Sequence, residues 1–524
     1  MGGASQSQRA PSKPDGVDAR MTETITEVMA AAVADAGDTP FLILPDGTSR
    51  SYAQAWDEAG RLANLFVALG VTPGDRIALQ AEKSVPALLV YLAALRAGAV
   101  FLPLNTAYTP DEVRYFLADA RPAVFVCRAA DEAAMHDLYT ELGVAHCLSL
   151  DATGAGSLIE AARSHPAAFA NVARAGDDLA AILYTSGTTG RSKGAMLTHA
   201  NLLSNALTLR DYWRFTADDR LLHALPIFHT HGLFVATNTI ICARAAMIFL
   251  PRFDVGELLR LMPQATTMMG VPTFYTRLLD DPRFTRAAAA EMRLFISGSA
   301  PLSAETHRAF SERTGHAILE RYGMTETNMI TSNPYDGARV PGSVGFPLPG
   351  VEVRIADAES GTPLDGESVG VIEVRGPNVF AGYWQMPEKT AQEFRADGFF
   401  ITGDLGKIDA DGYVHIVGRA KDLIISGGFN VYPAEVEALL DEVAGIAESA
   451  VIGVPHRDFG EGVVAVVQSR DPALDEAGVL TAIDGRLARF KQPKRVVFVP
   501  ELPRNAMGKI QKAALRDTYS GLFG

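Results

Sequence analysis

The stretch AAILYTSGTTGRSKG, residues 180–194, joins an apolar run to a loop of small polar residues. AAILYT is typical of a buried strand, and the core TSGTTG contains only glycines and hydroxyl residues. Glycines let the backbone adopt positive φ and approach an anion, so that successive N–H groups can surround phosphate oxygens. The spacing is not that of a Walker A loop, which has four residues between its first glycine and Gly-Lys-Ser/Thr. We therefore predict a phosphate-binding loop of another type, to which Lys193 adds positive charge.

Further apolar runs alternate with helical patterns on both sides of this loop. ALLVYLAALRAG (87–98) has the apolar stripe of a helix that packs on a sheet and is closed by Gly98. The other predicted strands are RIALQ (76–80), AVFVC (123–127), LLHAL (221–225), AMIFL (246–250) and LFIS (294–297). Strands that alternate with helices indicate a doubly wound α/β architecture.

The pattern changes in the last third of the chain. After Val351, VEVRIAD, GVIEVRG and YVHIVGR alternate in period two between Gly and Asp turns, which predicts a small β-barrel-like antiparallel region. From Lys421 a helix pattern and two strand patterns predict a small α+β unit. We therefore expect a flexible tail (1–20), a large N-terminal α/β domain (21–420) and a small mobile C-terminal domain (421–524), which we call the lid.

Composition excludes several classes of function. The 524 residues carry a formal net charge of −14, which argues against a general nucleic-acid binder. No apolar run is long enough for a transmembrane helix, and the N-terminus has no secretory pattern, so we expect no membrane insertion. Cys127, Cys147 and Cys242 form no CxxC pair, which fits a reducing compartment. The predicted location is cytoplasmic, or the mitochondrial matrix if the source is eukaryotic.

Four further motifs follow the phosphate loop in order. They are RYGMTET (321–327), TGDLG (402–406), GRAKDLIISGGFNVYP (418–433) and PRNAMGKIQK (503–512). Together the five motifs resemble those of the adenylate-forming superfamily, which comprises acyl- and aryl-CoA synthetases, luciferases and peptide-synthetase adenylation domains. The resemblance covers about residues 40 to 515. It implies that ATP and Mg²⁺ activate a carboxylate as an acyl-adenylate, and that CoA then displaces AMP.

The resemblance also implies roles for individual residues. The nucleotide-binding set is Thr185, Ser186, Gly187, Thr188, Thr189, Gly190, Lys193, Ser299, Ala300, Pro301, Glu320, Tyr322, Gly323, Thr325, Asp404, Arg419 and Lys509. The catalytic set is Thr325 at the α-phosphate, Glu326 as the Mg²⁺ ligand, Lys509 between carboxylate and α-phosphate, and His229 as the gate beside that phosphate. The lid is expected to rotate about Lys421, and Gly427, Gly428 and Phe429 are expected to line the CoA tunnel.

Two arginines indicate the acid. Arg321 stands where relatives that act on aromatic or fatty acids commonly have glycine, and Arg277 lies in GVPTFYTRLL at a helix start expected to face the acyl site. Two guanidiniums with His231 suit a second carboxylate at the far end of a short substrate. The motifs are most similar to those of malonate-activating members, so we expect malonate, with methylmalonate tolerated. The structural alternatives are that Arg321 braces its loop by pairing with Glu320 or Glu326, and that Arg277 is a solvated helix residue.

Other functions stay open at this point. The chain resembles ligases for other small or aryl acids, free-standing adenylation modules that load a carrier protein, and non-catalytic adenylate binders. Intact Thr325, Glu326 and Lys509 argue against the last of these. Small molecules are the expected partners, and a lysine acetyltransferase or deacetylase acting on Lys509 is a further family-level expectation. Residues 486–512 contain eight basic residues and one acidic residue, Glu501, which predicts either a solvated basic face or a contact with CoA phosphates.

Overall fold

The structure, a computed structural model, describes residues 23–185, 192–427, 429–484, 486–505 and 508–523. The predictions for Ser186, Gly187, Thr188, Thr189 and Gly190 lie outside these residues, as do those for Gly428 and the tail 1–20.

The described part of the N-terminal domain contains twenty strands. They are β1 (Pro40–Ile43), β2 (Ser49–Ser51), β3 (Arg76–Leu79), β4 (Val100–Pro103), β5 (Val124–Arg128), β6 (His146–Leu150), β7 (Leu179–Thr185), β8 (Lys193–Thr198), β9 (Arg220–His223), β10 (Ala246–Phe249), β11 (Thr267–Gly270), β12 (Leu294–Ser297), β13 (Leu319–Met324), β14 (Asn328–Ser332), β15 (Phe346–Pro347), β16 (Glu352–Ala356), β17 (Gly370–Arg375), β18 (Gly382–Tyr383), β19 (Phe400–Ile408) and β20 (Val414–Arg419).

Helices cover these sheets. They are α1 (Ile25–Ala36), α2 (Tyr52–Ala68), α3 (Val85–Arg96), α4 (Pro110–Ala120), α5 (Glu132–Glu141), α6 (Ser157–Ala162), α7 (His199–Tyr212), α8 (Thr239–Ala243), α9 (Val255–Leu261), α10 (Pro272–Asp280), α11 (Ala304–Thr314) and α12 (Pro387–Gln392). A π-helical segment, His231–Asn238, runs directly into α8. The lid contains β21 (Ile424–Ser426), β22 (Phe429–Val431), α13 (Pro433–Leu440), β23 (Ile446–His456), β24 (Gly460–Ser469), α14 (Glu476–Ile483), β25 (Arg495–Phe498) and α15 (Lys512–Tyr519).

The described strands of the N-terminal domain form two large sheets and one small sheet. The nine-stranded sheet has the order β15-β14-β13-β12-β11-β9-β10-β1-β2, and the seven-stranded sheet has the order β18-β8-β7-β4-β3-β5-β6. Pairing is parallel from β1 through β10, β9, β11 and β12 to β13, and from β7 through β4, β3 and β5 to β6. This confirms the predicted α/β architecture.

The predicted helix at 87–98 illustrates why local sequence specifies these elements. Helix α3 begins after Ser84, whose hydroxyl accepts a hydrogen bond from the backbone N–H of Ala87. Pro86 lies in the first turn, where the missing N–H costs nothing. The chain leaves the helix at Gly98 with φ +70°, a conformation that favours glycine. Residues 87–96 are all buried because neighbouring elements cover the helix on several sides.

The change of pattern after Val351 also corresponds to a structural change. Strands β16, β17, β19 and β20 form a four-stranded antiparallel sheet. The lid has a sheet of its own, in which β24 pairs with β21, β23 and β25. Its core of aliphatic residues, including Val436, Val451 and Val463, is separate from that of the N-terminal domain. In the part of the chain that the structure describes, no helix has both the length and the apolar character needed to cross a bilayer.

Candidate active site

The carboxyl ends of the parallel strands bring the predicted site together. Thr185 ends β7 of the seven-stranded sheet, while His223 and Ser297 end β9 and β12 of the nine-stranded sheet. Strands of one parallel sheet end at the same edge, where open α/β folds place their binding crevices. Lys193 begins β8, the strand that pairs with β7, while the SGSAP segment continues from the end of β12 and the histidines of ALPIFHTHG follow β9. The motifs far apart in sequence therefore meet at one cleft.

Lys193 lies at the start of β8, beside the end of β7. Its Nζ is 3.4 Å from Glu393 Oε1 and 4.2 Å from the centre of the Tyr383 ring. The hydroxyl of Thr185 donates to the Lys193 carbonyl at 3.4 Å. The side chain of Lys193 is 11% exposed, so burial shields its pairing with the carboxylate. The arrangement supplies positive charge at the mouth of the phosphate loop.

Tyr322, Asp404 and Arg419 form a chain of contacts. The Tyr322 hydroxyl donates to Asp404 Oδ2 at 2.5 Å, and Arg419 Nε lies 3.1 Å from Asp404 Oδ1. Burial and the neighbouring carboxylate raise the pKa of Tyr322, so the phenol stays protonated. The Asp404 charge in turn raises the pKa of Arg419. The sequence placed these three residues in one nucleotide site, and the structure brings them into direct contact.

Glu326 is a buried carboxyl group next to Thr325. The hydroxyl of Tyr383 donates to Glu326 Oε1 at 3.1 Å, and burial raises the pKa of the glutamate. Tyr383 therefore joins Glu326 to Lys193, whose ammonium lies over the same ring. A single carboxylate suits Mg²⁺ bound chiefly through nucleotide phosphates, because that ion commonly takes only one or two protein carboxylates.

The lid carries Lys509 to this cleft. Gly508, with φ +74°, is close enough to the N-terminal domain that a Cβ on it would lie 3.2 Å from Thr273 Oγ1. The Lys509 side chain stays in contact with solvent, yet the surrounding protein, and then the Arg419 guanidinium, lower its pKa to about 8. Its charge also acts on His229, whose pKa falls to about 3 mainly through burial. The predicted catalytic lysine and gate histidine therefore share one site.

Arg321 lies on β13, next to Tyr322, and is 3% exposed. Its guanidinium rests against Gly298, where a Cβ would lie 2.3 Å from Arg321 Cζ. The Nε and Nη2 atoms are buried without a hydrogen-bond partner, and no ion pair forms with a described carboxylate. Burial lowers the pKa of Arg321 to about 9. The bracing alternative, a pair with Glu320 or Glu326, is therefore not what the described residues show.

Two histidines complete the surroundings of this guanidinium. The backbone N–H of His231 donates to His229 Nδ1 at 3.3 Å, and Ser299 Oγ lies 3.3 Å from His231 Nδ1. Burial, and then the positive charge of Arg321, hold the pKa of His231 well below its usual range, so the ring is neutral. A serine hydroxyl can donate or accept, so both neutral tautomers of His231 suit this contact, and its buried Nε2 has no partner among the described residues. We call Gly298, Ser299, Arg321, His229 and His231 the acyl pocket.

Arg277 lies on a different side of the site. It is exposed on α10, one turn after Thr273, and its guanidinium is 6.0 Å from the Phe253 ring centre. Residues four apart share a helix face, so Arg277 lies on the same face as Thr273, which approaches Gly508. Burial and the Arg277 charge lower the pKa of Arg504 in the lid. The structure therefore brings Arg277 towards the lid and not into contact with the buried arginine.

The remaining predicted site residues surround these groups. Glu320 is buried beside the SGSAP turn, where its Oε1 accepts from the Leu302 N–H at 3.1 Å, and burial raises its pKa to about 8. Ser299 has φ +71°. The structure also describes Ala300, Pro301 and Gly323 in the segments that flank Tyr322.

Lys421 lies in a short turn between β20 of the N-terminal domain and β21 of the lid, as a hinge would. Burial and Arg419 lower its pKa. After β21, Gly427 has φ +60°, and Phe429 is 57% exposed with its ring 4.8 Å from that of Phe490.

Most basic side chains of the segment 486–512 form ion pairs within the lid. Five of its side chains end on glutamates of the lid itself: Arg486 on Glu442, Lys491 on Glu435, Arg495 on Glu476, Arg504 on Glu448 and Lys512 on Glu437. These pairs join α13, α14 and β23 to the C-terminal segment. Much of the positive charge therefore links elements of the lid to one another.

Sequence reasoning missed five residues of this region. Gly298 stood in the SGSAP segment, but its close contact with a guanidinium has no sequence signal. Tyr383 lies on β18 and Glu393 directly follows α12, both far from any recognised motif. Lys83 and His223 lie beneath the acyl pocket, and His223 had only the signal of ending the predicted strand LLHAL.

Comparison with known proteins agrees with this geometry. The AMP-binding enzyme family model matches residues 29–384, and the model of the AMP-binding enzyme C-terminal domain matches residues 435–509. The chain is 33% identical to a malonate–CoA ligase of Arabidopsis thaliana, over 94% of this chain and 89% of that protein. It is 36% identical to a feruloyl-CoA synthase of an Amycolatopsis species, over 90% of this chain and 94% of that protein.

A solved structure is more similar still. The chain is 58% identical to ATP-bound MatB of Rhodopseudomonas palustris, with a TM-score of 0.93 and coverage of 96% of this chain and 100% of that chain. The likeness spans both the N-terminal domain and the lid.

Proposed function

Because the chain belongs to the AMP-binding enzyme family, we propose that it ligates malonate to CoA with consumption of ATP. Malonyl-CoA, AMP and pyrophosphate are the products, and malonyl-adenylate is the intermediate. The observation that carries the choice of acid is Arg321, a buried guanidinium with two N–H groups that no described residue satisfies. The similar proteins named above include a malonate–CoA ligase and MatB.

The first half-reaction joins anions. A carboxylate oxygen of malonate attacks the α-phosphorus of ATP, and the bond from that phosphorus to the bridging oxygen breaks to release pyrophosphate. Lys509 offsets the negative charge between the carboxylate and the α-phosphate, and the hydroxyl of Thr325 contacts that phosphate. Glu326 would hold Mg²⁺, an ion that would supply Lewis-acid polarisation of the phosphate oxygens. Asp404 and Tyr322 hold the nucleoside. Lys193 breaks its ion pair with Glu393 and binds the β- and γ-phosphates instead.

The second half-reaction uses the thiol of CoA. The sulfur attacks the acyl carbonyl carbon, the bond from that carbon to the phosphate oxygen breaks, and AMP leaves. We propose that the lid turns about Lys421 between the two steps, so that Lys509 leaves and Gly427 and Phe429 approach the cleft. The exposed ring of Phe429 supports this, because a turned lid would cover it.

The far carboxylate of malonate selects the substrate. In the acyl pocket it receives N–H groups from Arg321 and the Nε2–H of His231. A charge-assisted hydrogen bond to a buried donor is stronger than one between neutral groups. A monocarboxylate would leave the guanidinium unsatisfied, and such a buried group is costly. We propose that Arg277 adds its charge from the lid side of the pocket when the lid is closed.

The test is release of AMP, dependent on CoA, across a panel of malonate, methylmalonate, acetate and benzoate. We expect malonate to have the highest kcat/KM, with methylmalonate next. Arg321→Ala should lose malonate activation most strongly, and Arg277→Ala should lose it less, because its guanidinium is exposed. The exposed Arg283, which pairs with Asp281 outside the cleft, gives the matched control Arg283→Ala. Better turnover of acetate or benzoate would instead favour a ligase for another small or aryl acid.

Transfer to a carrier protein is the other candidate that the test separates. An adenylation module of that kind would form malonyl-adenylate but would not release AMP faster when CoA is added.

We infer a cytoplasmic location, which the three unpaired thiols of Cys127, Cys147 and Cys242 support.

Lys509 is also proposed as a target of a lysine acetyltransferase, because its side chain is accessible to solvent. Acetylation removes the charge, so it should abolish adenylate formation. Mass spectrometry of the acetylated protein, together with recovery of activity on deacetylation, tests this. Full activity with Lys509 stoichiometrically acetylated would contradict it.

A further inference from the structure

We propose that Lys83 and His223, a buried pair beneath the acyl pocket, position the histidines that meet the acid. The inference rests on the proposed function only in that an acid binds in this pocket. Lys83 follows β3 of the seven-stranded sheet, and His223 ends β9 of the nine-stranded sheet. The pair therefore bridges the two large sheets at the edge where both carry site residues.

The contacts of the pair are short and specific. Lys83 Nζ lies 2.7 Å from His223 Nδ1 and donates to the His223 carbonyl at 2.9 Å. The ammonium also lies 4.3 Å from the centre of the Phe249 ring. On the other side of the imidazole, Nε2 is 2.8 Å from the Gly232 carbonyl, which can only accept. Nε2 must therefore carry the proton, and Nδ1 must accept from Lys83.

Gly232 connects the pair to the acyl pocket. It belongs to the π-helical segment that starts at His231, and its carbonyl also accepts from Thr237 Oγ1 at 3.3 Å. A Cβ on Gly232 would lie 2.1 Å from the Pro226 carbonyl oxygen, so the backbone is closely packed here. A π-helical turn is an uncommon geometry that is frequently found at functional sites. Holding the Gly232 carbonyl therefore fixes the residue before it, His231.

The contacts that run from Lys83 through His223 and Gly232 to His231 continue to Arg321. His231 Nδ1 lies 3.3 Å from Ser299 Oγ, and Gly298, next to it in sequence, is in contact with the Arg321 guanidinium. From Lys83 to Arg321 each contact involves a buried or partly buried group. A displacement of the Gly232 carbonyl would move the unpartnered Nε2 of His231 away from the acid.

The chemistry of Lys83 argues against a purely structural role. Lys83 is only 9% exposed, yet it has no carboxylate partner among the described residues. Burial holds its pKa well below the usual range of lysine. An apolar side chain of similar length would fill this place at lower desolvation cost. The lysine donates to both the ring and the carbonyl of His223, and an apolar residue could donate to neither.

Lys83→Met and His223→Leu test the proposal. Pyrophosphate exchange that depends on the acid gives kcat and KM for acid and for ATP. We expect kcat/KM for malonate to fall ~10–100-fold in either variant, as is typical when a buried hydrogen bond to a charged group is lost. The KM for ATP should stay within about twofold, because the contacts of Lys83 and His223 do not include the residues proposed to hold the nucleoside, Tyr322, Asp404 and Arg419. His223→Gln, which keeps a donor for the Gly232 carbonyl, should recover part of the loss.

Three controls make the outcome decisive. Lys407→Met removes a lysine that pairs with Glu367 at the surface, and it should behave as the wild type. Calorimetric binding of a non-hydrolysable ATP analogue counts folded sites in every variant. The double variant of Lys83 and His223 should lose no more than about the larger single loss, because the two residues act as one unit.

Two results would overturn the proposal. One is a Lys83→Met protein that binds nucleotide and retains the wild-type kcat/KM for the acid. The other is parallel loss of nucleotide binding and acid activation in both variants, which would make the pair a general support of the cleft. If wild-type protein favours an acid other than malonate, the same measurements with that acid test Lys83 and His223. Failure of the proposed function is thereby kept distinct from failure of this inference.

Discussion

The lid and the acyl pocket hold positive charge in opposite ways. In the lid, five basic side chains pair with glutamates of the same domain. In the acyl pocket, Arg321 is 3% exposed and pairs with no described carboxylate. Exposed ion pairs contribute little free energy, whereas an unpaired buried charge destabilises a fold. The difference teaches that the lid pairs serve the structure, while the acyl pocket retains an unpaired cation, which is the feature that the proposed binding of a second carboxylate rests on.

Lys509 is a lid cation that departs from this comparison, because it forms no ion pair among the described residues and faces the cleft. Lys509→Ala should lower the rate of adenylate formation about 10²–10³-fold, comparable to loss of an oxyanion contact. Formation of thioester from preformed malonyl-adenylate should survive, because the lysine has left by that step. The two half-reactions are measured separately by pyrophosphate exchange and by malonyl-CoA production. An equal loss in both half-reactions would show that Lys509 supports the lid structure, as the paired lid cations do.

Arg321→Met should separate activity from stability. We expect kcat/KM for malonate to fall about 10²-fold, because a charge-assisted contact made in the pocket is lost. The free energy of unfolding should stay unchanged or rise, because an unpaired buried charge has been removed. Steady-state kinetics and chemical denaturation of the same preparation measure both. A protein that loses stability and activity together would show that Arg321 has an ion partner in the fold.

Gly298→Ala tests whether the position of the Arg321 guanidinium matters, without removing its charge. The added Cβ would lie 2.3 Å from Arg321 Cζ, so the guanidinium must move. We expect KM for malonate to rise about tenfold, a milder effect than removal of the arginine, with KM for ATP nearly unchanged. Gly521, where a Cβ meets nothing, provides the matched control Gly521→Ala. Normal malonate kinetics in Gly298→Ala would mean that Arg321 does not need this position.

The lowered pKa of Lys509 predicts a pH dependence. The protonated amine is the active form, and its pKa of about 8 means that charge is lost as pH rises through that value. Adenylate formation should therefore decline about fivefold between pH 8 and pH 9, as the protonated fraction of a group with that pKa does. Thioester formation from malonyl-adenylate should lack this decline. A flat profile of adenylate formation up to pH 10 would show that the charge of Lys509 is not used.

The smallest effect on malonate kinetics is expected from substitution of a paired lid cation. Lys512 lies 2.6 Å from Glu437, and both side chains are less than one-fifth exposed. Lys512→Met should leave malonate kinetics unchanged and lower the free energy of unfolding by about 1–3 kcal/mol, because the largely buried Glu437 loses its charged partner. A Glu437→Gln variant and the double variant complete a cycle that isolates the pair. A large rise in KM for malonate or CoA would instead assign Lys512 to ligand binding.

The sequence predicted the fold because its signals are local. The strand patterns at 76–80, 180–185 and 294–297 became β3, β7 and β12, and the helix pattern at 87–98 became α3. Burial on both faces of a parallel sheet demands continuous apolar runs, which can be read directly from the chain. The change to period two after Val351 likewise corresponds to an antiparallel sheet.

The candidate site was predicted in part. The order of the five motifs identified Tyr322, Asp404, Arg419 and Lys509 as neighbours, and the structure brings them to one cleft. Two arginines were expected to act together, yet Arg277 lies on the exposed lid side of α10 and Arg321 is buried. Spacing along the chain does not reveal which face of a helix meets which neighbour, because that depends on how α10 packs.

By itself, the sequence determined many of the strand and helix elements, and it supplied the motifs on which the proposed nucleotide site rests, because these depend on residue type and short-range periodicity. Tertiary structure alone decided which charges are paired. Glutamates distant in sequence neutralise the lid cations, Gly298 admits the guanidinium of Arg321, and Lys83 reaches His223 across two sheets. An ion pair or an orphaned donor depends on which side chains folding brings within a few ångströms, and that distance is not encoded in any one segment.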